Sequence, residues 1–372
     1  MTTTIRIVTL LTDLFQRRLL PLIGVTMLVC FVRSANAAGI AKGPYLMNPT
    51  QNGITVCWVS DTSAVGTVMV TGVGTTAQDV TETEYHRVKV SGLKPHTHYS
   101  FTVACAGDTK EGGFTTAARP NQSFKFVAYG DNRTQPDMHA AVLKRMSLFK
   151  PDFIIQTGDQ VADGENESQW DEFWQIAGSA LSQTAYYPCL GNHERHGAPY
   201  FRYFAVPAEY SFDYGDAHFV ALDSNRPEAE YAAQGEWLRK DLLAHQSAKW
   251  RIVFFHHTVY TCVDKPERRV ESAARAKRLE PILLEGNVQL VINGHDHDYQ
   301  RHFAHGITYI VTGGGGAPLY DVTPDTPFVK KTLKVHHHCE LTVVGNTISV
   351  RAVEPDGTII EQFTVSAHNA AP

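Results

Sequence analysis

The stretch VQLVINGHDHDY (288–299) decides the reading of the fold. An apolar run that ends at Gly294 reads as a buried strand, and the residues that leave it, His295, Asp296 and His297, can hold something. The same arrangement recurs along the chain. FKFVAYG is followed by Asp131, DFIIQTG by Asp159, AYYPCLG by Asn192, His193 and Glu194, and RIVFF by His256 and His257. In an α/β sheet the loops beyond the carboxyl ends of the strands converge on one crevice, so residues far apart in sequence can meet there. PDMHAAVLKRMSLF, SQWDEFWQIAGSALSQ, AAQGEWLRKDLLAH and VESAARAKRLEPILLEG read as helices between the strands, and the chain closes with a meander, CELTVVG, TISVRAVE and TIIEQFTV. Alternation followed by an antiparallel tail predicts a layered α/β domain with mixed sheets over residues 124–367.

Upstream, residues 39–118 carry only short strands, ITVCWVS, GTVMVTG, YHRVKVSG and HYSFTVACAG, separated by turn residues. They predict a small β-sandwich, with TTAARPNQS (115–123) as the linker to the α/β domain. Strand alternation puts Trp58 with Ile54 and Val56 and leaves Cys57 on the opposite face. The segment GLKPHTHYSFTVA makes Tyr99 a tyrosine-corner-like residue and, with Trp58, resembles a fibronectin type III-like module. Residues 1–37 read as a signal peptide: Arg17 and Arg18 precede the apolar run LLPLIGVTMLVCFV, and Ala35-Asn36-Ala37 offers a cleavage site. The run is short for a membrane span, which needs about 20 residues. The expectation is an exported protein, periplasmic or secreted, with no membrane attachment in the mature form.

Composition narrows the function. The formal charge is −5, and without the leader 29 basic residues face 37 acidic ones, so no nucleic-acid footprint is expected. The 18 histidines make a metal site worth seeking. Export permits disulfides. Of the five cysteines outside the leader, Cys189 and Cys262 lie close to the strand-end motifs and are the pair to test first, with five buried thiols as the alternative. Cys57 and Cys105 fall on opposite faces, so a bridge across the sandwich is not expected.

Carboxylate, amide and imidazole donors together favour iron, manganese or zinc. The lack of a cysteine cluster argues against a closed structural zinc site. Two histidines one residue apart project in different directions and suit two ions better than one. An aspartate can bridge ions about 3.5–4 Å apart, the spacing used in phosphoryl hydrolysis.

The set GD (130–131), GDQV (158–161), GNHE (191–194), FHH (255–257) and GHDH (294–297) resembles the calcineurin-like metallophosphoesterase signature. With the N-terminal β-module, its order and spacing most resemble the purple acid phosphatase-like branch, and the YIVTGGGGAPLY loop (309–320) extends the likeness. The resemblance implies a layered α/β/β/α sandwich with mixed sheets behind a fibronectin III-like sandwich. It implies that Asp131 and His297 bind a first metal, that Asp159 bridges two, and that Asn192, His256 and His295 complete the second. His193 would steady or protonate the leaving group.

Two positions depart from the pattern. The tyrosine that colours purple enzymes, three residues after the bridging aspartate, is here Ala162, so the protein should not be purple. The histidine that other members place two residues after the first aspartate is Arg133, which cannot coordinate a cation but can fork onto a phosphate. His139, in the first turn of a helix that Pro136 can open, is the candidate replacement ligand, with a surface or capping histidine as the alternative. His257 reads as a neighbour of the site, and His336–His338 as a solvated lead-in to a strand. Gly313–Gly316 could cradle a phosphate or serve a tight turn. The implied function is dinuclear-metal hydrolysis of a small-molecule phosphate ester, with hydroxide formed at the metals attacking phosphorus. A phosphomonoesterase is expected first and a phosphodiesterase, cyclic nucleotide or other, second. A further alternative is an exported binding protein carrying a degenerate phosphoesterase domain.

Overall fold

In the computed structural model, the described residues are 39–79 and 81–367; the leader-like residues 1–37 lie outside them. The first strands are β1 (Ile40–Thr50), β2 (Gly53–Ala64), β3 (Gly66–Val70), β4 (Thr75–Gln78), β5 (Thr83–Ser91), β6 (His98–Cys105) and β7 (Asp108–Thr115). They form two antiparallel sheets, ordered β1-β2-β5 and β4-β3-β6-β7. Ile54, Val56 and Trp58 enter the core between them with Val68, Phe101 and Val103. Cys57, one residue out of phase, joins a different apolar cluster. The Trp58 indole stacks on His86, with ring centroids 4.4 Å apart. The Tyr99 hydroxyl accepts a hydrogen bond of 3.0 Å from the Lys94 backbone N–H, which pins the corner that the sequence motif predicts.

The larger part runs β8 (Phe124–Tyr129), α1 (Pro136–Phe149), β9 (Phe153–Gln156), α2 (Glu167–Leu181), β10 (Ala185–Pro188), α3 (Ala198–Phe204), β11 (Tyr210–Tyr214) and β12 (Ala217–Ala221). It continues through α4 (Tyr231–Ala244), β13 (Trp250–Phe255), α5 (Pro266–Glu285), β14 (Leu290–Asn293), β15 (Tyr299–Ala304) and β16 (Ile307–Thr312). The tail comprises β17 (Val329–Leu333), β18 (His338–Val344), β19 (Thr347–Val353) and β20 (Ile359–Ser366). One sheet has the order β10-β9-β8-β18-β19-β20 and the other β11-β12-β13-β14-β16-β15-β17. Strands β8, β9 and β10 are parallel, as are β12, β13, β14 and β16, while the meander is antiparallel. Both sheets are therefore mixed.

The period-two alternation of β8 separates the layers. Phe126 and Ala128 face the other sheet and pack with Phe219, Ile252 and Ile292. Val127 and Tyr129 face the helices, with Val142 and Met146 of α1 and Trp170 and Phe173 of α2. On the far side, Val253 and Phe255 meet Leu238 and Leu242 of α4 and Leu279 and Leu283 of α5. The result is helix, sheet, sheet, helix. Phe126 stacks on Phe153 at 5.1 Å and meets Phe219 edge-on at 5.4 Å across the sheets. Each such ring contributes about 1.5–3 kcal/mol by leaving water. β1 also packs against α2, where Tyr45 lies 4.6 Å from Trp174.

Two expectations need correction. All five cysteines of the described residues are free and buried: Cys189 sits in the core between the sheets, whereas Cys262, in the loop before α5, donates its backbone N–H to Gln300. Cys189 and Cys262, the pair to test first, are not bridged, and the alternative of five buried thiols holds. His337 and His338 are buried rather than solvated, because His338 opens a strand that pairs into the middle of a sheet through β8 and β19, and His337 before it donates its N–H to the Gly314 carbonyl.

In β12, one strand in from the edge of the second sheet, His218 lies between two carboxylates. Its Nδ1 is 2.8 Å from Asp213 and its Nε2 2.7 Å from Asp241 of α4. Burial pulls the imidazole pKa down, but Asp241 and Asp213 outweigh it and hold it above the ordinary value. For Asp241, burial raises the carboxyl pKa, and hydrogen bonds from His218 and Ser211 bring it below the ordinary value. A raised histidine pKa stabilises the fold fully below about pH 6.5 and fades as pH rises through the folded pKa; a lowered aspartate pKa stabilises above about pH 4 and fades below it. His218→Gln should therefore destabilise by about 1–3 kcal/mol near pH 5.5 and by much less above pH 8. Urea unfolding of both proteins at the two pH values checks this; a difference that grows with pH contradicts it.

Candidate metal centre

At the carboxyl ends of β8, β9, β10, β13 and β14 the chain turns sharply. Asp131, Asp159 and His295 each adopt positive φ, at 56°, 59° and 68°. That region is costly for residues with a Cβ, though aspartate tolerates it better than most, and such strain persists only where surroundings over-determine it. Here they do. The Asp131 N–H donates to the Gly158 carbonyl (3.0 Å) and the Gly294 N–H to the His256 carbonyl (2.9 Å), tying neighbouring strand ends together. The Gly130 N–H donates to the Thr312 carbonyl at 2.9 Å, joining the two sheets.

His256 is the centre of one half. Its Nδ1–H donates to the Thr157 carbonyl at 2.8 Å, which can only accept, so Nε2 is left as a lone pair. That nitrogen faces Asn192 Oδ1 at 3.0 Å, His295 Nδ1 at 3.1 Å and Asp159 Oδ1 at 3.4 Å. Ligand atoms about 2.1 Å from one cation stand about 3.0 Å apart at right angles and about 3.4 Å apart at tetrahedral angles. The four atoms are spaced as donors to a single ion are.

The other half repeats the logic. His297 donates Nδ1–H to the Pro318 carbonyl at 2.7 Å, and its Nε2 faces Asp131 Oδ1 at 3.4 Å. That oxygen is buried and accepts no hydrogen bond, while Asp131 Oδ2 accepts the His295 N–H at 2.8 Å. Asp131, Asp159 and His297 bring one ligand atom each within 4.8 Å of one another. Asp159 belongs to both halves. Burial raises the Asp131 pKa, but His256 and His297 when protonated, together with Arg133, outweigh it and hold the carboxyl below its ordinary value. Burial and neighbouring cationic groups push His295 and His257 well below theirs, so both imidazoles are neutral.

His193 donates Nδ1–H to the carbonyl of Ala162 at 2.7 Å, and its Nε2 lies 3.8 Å from Asp159 Oδ2. Arg133 reaches the same oxygen through Nε at 3.3 Å. His257 stands beside His295, with centroids 4.3 Å apart, and pairs with Ser224. His139 is not brought in. Its ring lies buried between Tyr129 and Phe173, at 5.9 and 6.0 Å, and burial there pushes its pKa down to about 3. The reason is helical phase: His139, Val142, Leu143 and Met146 make the buried stripe of α1, spaced i, i+3, i+4, i+7.

Three supports lie within the quoted motifs, although their roles there have no signal in the sequence. Glu194 is fully buried and accepts backbone N–H groups from Asp159, Gln160, Val161 and Gly191 at 2.7–3.3 Å, stapling the loop after β9 to the loop after β10. Asp296 is gripped by Arg268 of α5 at 2.7 Å, and the same Nη1 donates to the His295 carbonyl at 2.9 Å. Tyr320 stacks flat on His297 at 4.2 Å. The glycine run resolves as close packing: a Cβ on Gly315 would collide with the Gly130 carbonyl, and one on Gly191 with Asp159 Oδ1.

Comparison with known proteins places this arrangement. The family model for calcineurin-like phosphoesterases matches residues 101–299, just over half of the chain. The chain is 26% identical over 236 residues to probable purple acid phosphatase 20 of Arabidopsis thaliana, covering 58% of this chain and 54% of that protein. Against purple acid phosphatase 21 of the same plant it is 28% identical over 238 residues, covering 58% and 53%. It thus spans about half the length of these curated relatives. In fold it is similar to a purple acid phosphatase from yellow lupin (Lupinus luteus) seeds, with a TM-score of 0.73 at 20% identity over 87% of this chain and 74% of that one. PhoD gives a TM-score of 0.70 at 12% identity, over 89% and 92%. The chain belongs to the calcineurin-like phosphoesterase family, and within it the chain is purple acid phosphatase-like.

Proposed function

We propose that the protein is a metal-dependent phosphomonoesterase that holds two ions, with Asp131, Asp159 and His297 on one and Asp159, Asn192, His256 and His295 on the other. The observation that carries this reading is the convergence of three ligand atoms, from Asn192, His295 and Asp159, on Nε2 of His256, whose other ring nitrogen is held by the Thr157 carbonyl. The mixed oxygen and nitrogen donors suit iron, manganese or zinc. Such ions supply Lewis-acid polarisation of the phosphate and a hydroxide nucleophile near neutral pH.

The chain's own groups do the rest. His193, oriented by Ala162, presents Nε2 to the pocket and, when protonated, donates to the leaving oxygen. Arg133 adds a guanidinium at the same edge to offset charge on the phosphoryl group. The site stands on strand ends with packed supports, which limits reorganisation during the reaction. No helix of the described residues is long and apolar enough to cross a membrane. The leader-like sequence at 1–37 supports export to the periplasm or exterior.

Kinetics on para-nitrophenyl phosphate and bis-para-nitrophenyl phosphate test the reading: the metal-loaded protein should favour the monoester. Asn192→Ala, His193→Ala and His295→Ala should each lower kcat by about 10²–10⁴-fold while cooperative unfolding persists. Wild-type rates in any of the three contradict the assigned roles. Glu194→Gln turns one acceptor into a donor facing backbone N–H groups. It should cost about 2–4 kcal/mol in urea unfolding and weaken metal binding about 10–100-fold; unchanged metal affinity contradicts the staple.

A further inference from the structure

Beside the metal centre lies a cavity of about 870 Å³ whose walls carry positive charge that the protein does not balance. Asn192 and His257 bound it on the side of the site already described, and α5 forms another wall. Glu271, Ala274, Arg275 and Arg278 fall at i, i+3, i+4 and i+7, so one face of that helix turns towards the space. Arg275 is only 9% exposed. Its Nη1 donates to the Thr258 carbonyl, but its Nε has no acceptor. Arg278 lies 3.5 Å over the Tyr231 ring, and its Nε is also without an acceptor.

Among the described residues no carboxylate forms an ion pair with Arg275, Lys277 or Arg278. Arg226, on the same cavity, shows the contrast: Glu209 and Glu230 take up its fork. Glu228 and Glu271 also line the space, and they moderate its field without pairing with these cations. A buried guanidinium with no counter-ion is unfavourable, and burial together with Arg278 lowers the Arg275 pKa to about 10. One such group with a second, half-exposed guanidinium beside it, next to the candidate metal centre, suits an anion.

We propose that this cavity is a subsite for a second anionic group of the substrate, so that the preferred ester carries a further phosphate or carboxylate held by Arg275 and Arg278. This rests on the phosphoesterase reading and narrows its substrate class. The scissile phosphate sits at the Asn192 end while the second anion reaches α5.

The test compares kcat/KM of the metal-loaded protein for fructose bisphosphate and fructose monophosphate. The wild type should prefer the bisphosphate by about tenfold or more. Arg275→Gln and Arg278→Gln should each cut that ratio about tenfold, and Arg278→Lys should keep part of it. Because Arg275 also ties down Thr258, Arg278→Gln, half-exposed on Tyr231, carries the test if the first variant fails to fold. A wild-type ratio near one, or a ratio that Arg278→Gln leaves unchanged, overturns the subsite while hydrolysis of the monophosphate leaves the phosphoesterase reading standing. If neither sugar ester is hydrolysed, turnover of para-nitrophenyl phosphate decides the phosphoesterase reading, and calorimetry with methylenebisphosphonate decides the subsite alone: weaker binding by Arg278→Gln supports it and equal binding overturns it.

Discussion

The Asp159 carboxylate is the element on which the rest of the site depends, because among the described residues it alone is shared by both clusters of ligand atoms. One oxygen lies 3.4 Å from the His256 lone pair and accepts the His193 N–H at 3.0 Å, and the other is touched by Arg133. Buried acceptors this close repel one another unless positive charge sits among them. A fold that keeps them together in a dry, strained turn has to supply binding free energy from elsewhere, and cations are the group that the donors fit. The strain at Asp131, Asp159 and His295 is then part of the site's preorganisation, held by tightly packed strands below and by the Glu194 and Arg268–Asp296 contacts around it.

That dependence explains why the fold is so tightly bound to the chemistry. Parallel strands place their carboxyl ends on one edge, and two such sheets packed face to face bring two edges together. The aromatic layer of Phe126, Phe153 and Phe219 fixes the distance between the sheets. Had the sheets slipped, Thr157 on one could not accept from His256 on the other, and the nitrogen that faces Asn192, His295 and Asp159 would lose its orientation.

Much of this is legible in the sequence. Apolar runs ending in glycine and followed by aspartate, asparagine or histidine announce strand ends that carry ligands, and the helix periods locate α1, α2, α4 and α5 to within a few residues. The parts that are not legible depend on what surrounds a side chain rather than on its type. Glu194 reads as one more acid until four backbone N–H groups are seen to point at it. Arg268 and Tyr320 act only because a distant helix and a distant loop fold over the GHDH turn. His139 misleads because its chemistry draws attention away from its phase: the same spacing that marks Val142 and Met146 as core places it there too. The histidines at 337 and 338 mislead for the converse reason, since polarity suggests solvent while the strand that opens at His338 carries them inside.

Metal analysis of the purified protein after loading and extensive dialysis tests the central claim most directly. The account requires about two ions per chain, falling to about one or fewer when Asp159, the shared ligand, is replaced by alanine. A wild-type protein that retains no metal under metal-replete conditions, or an Asp159→Ala variant that still holds both ions, would contradict it.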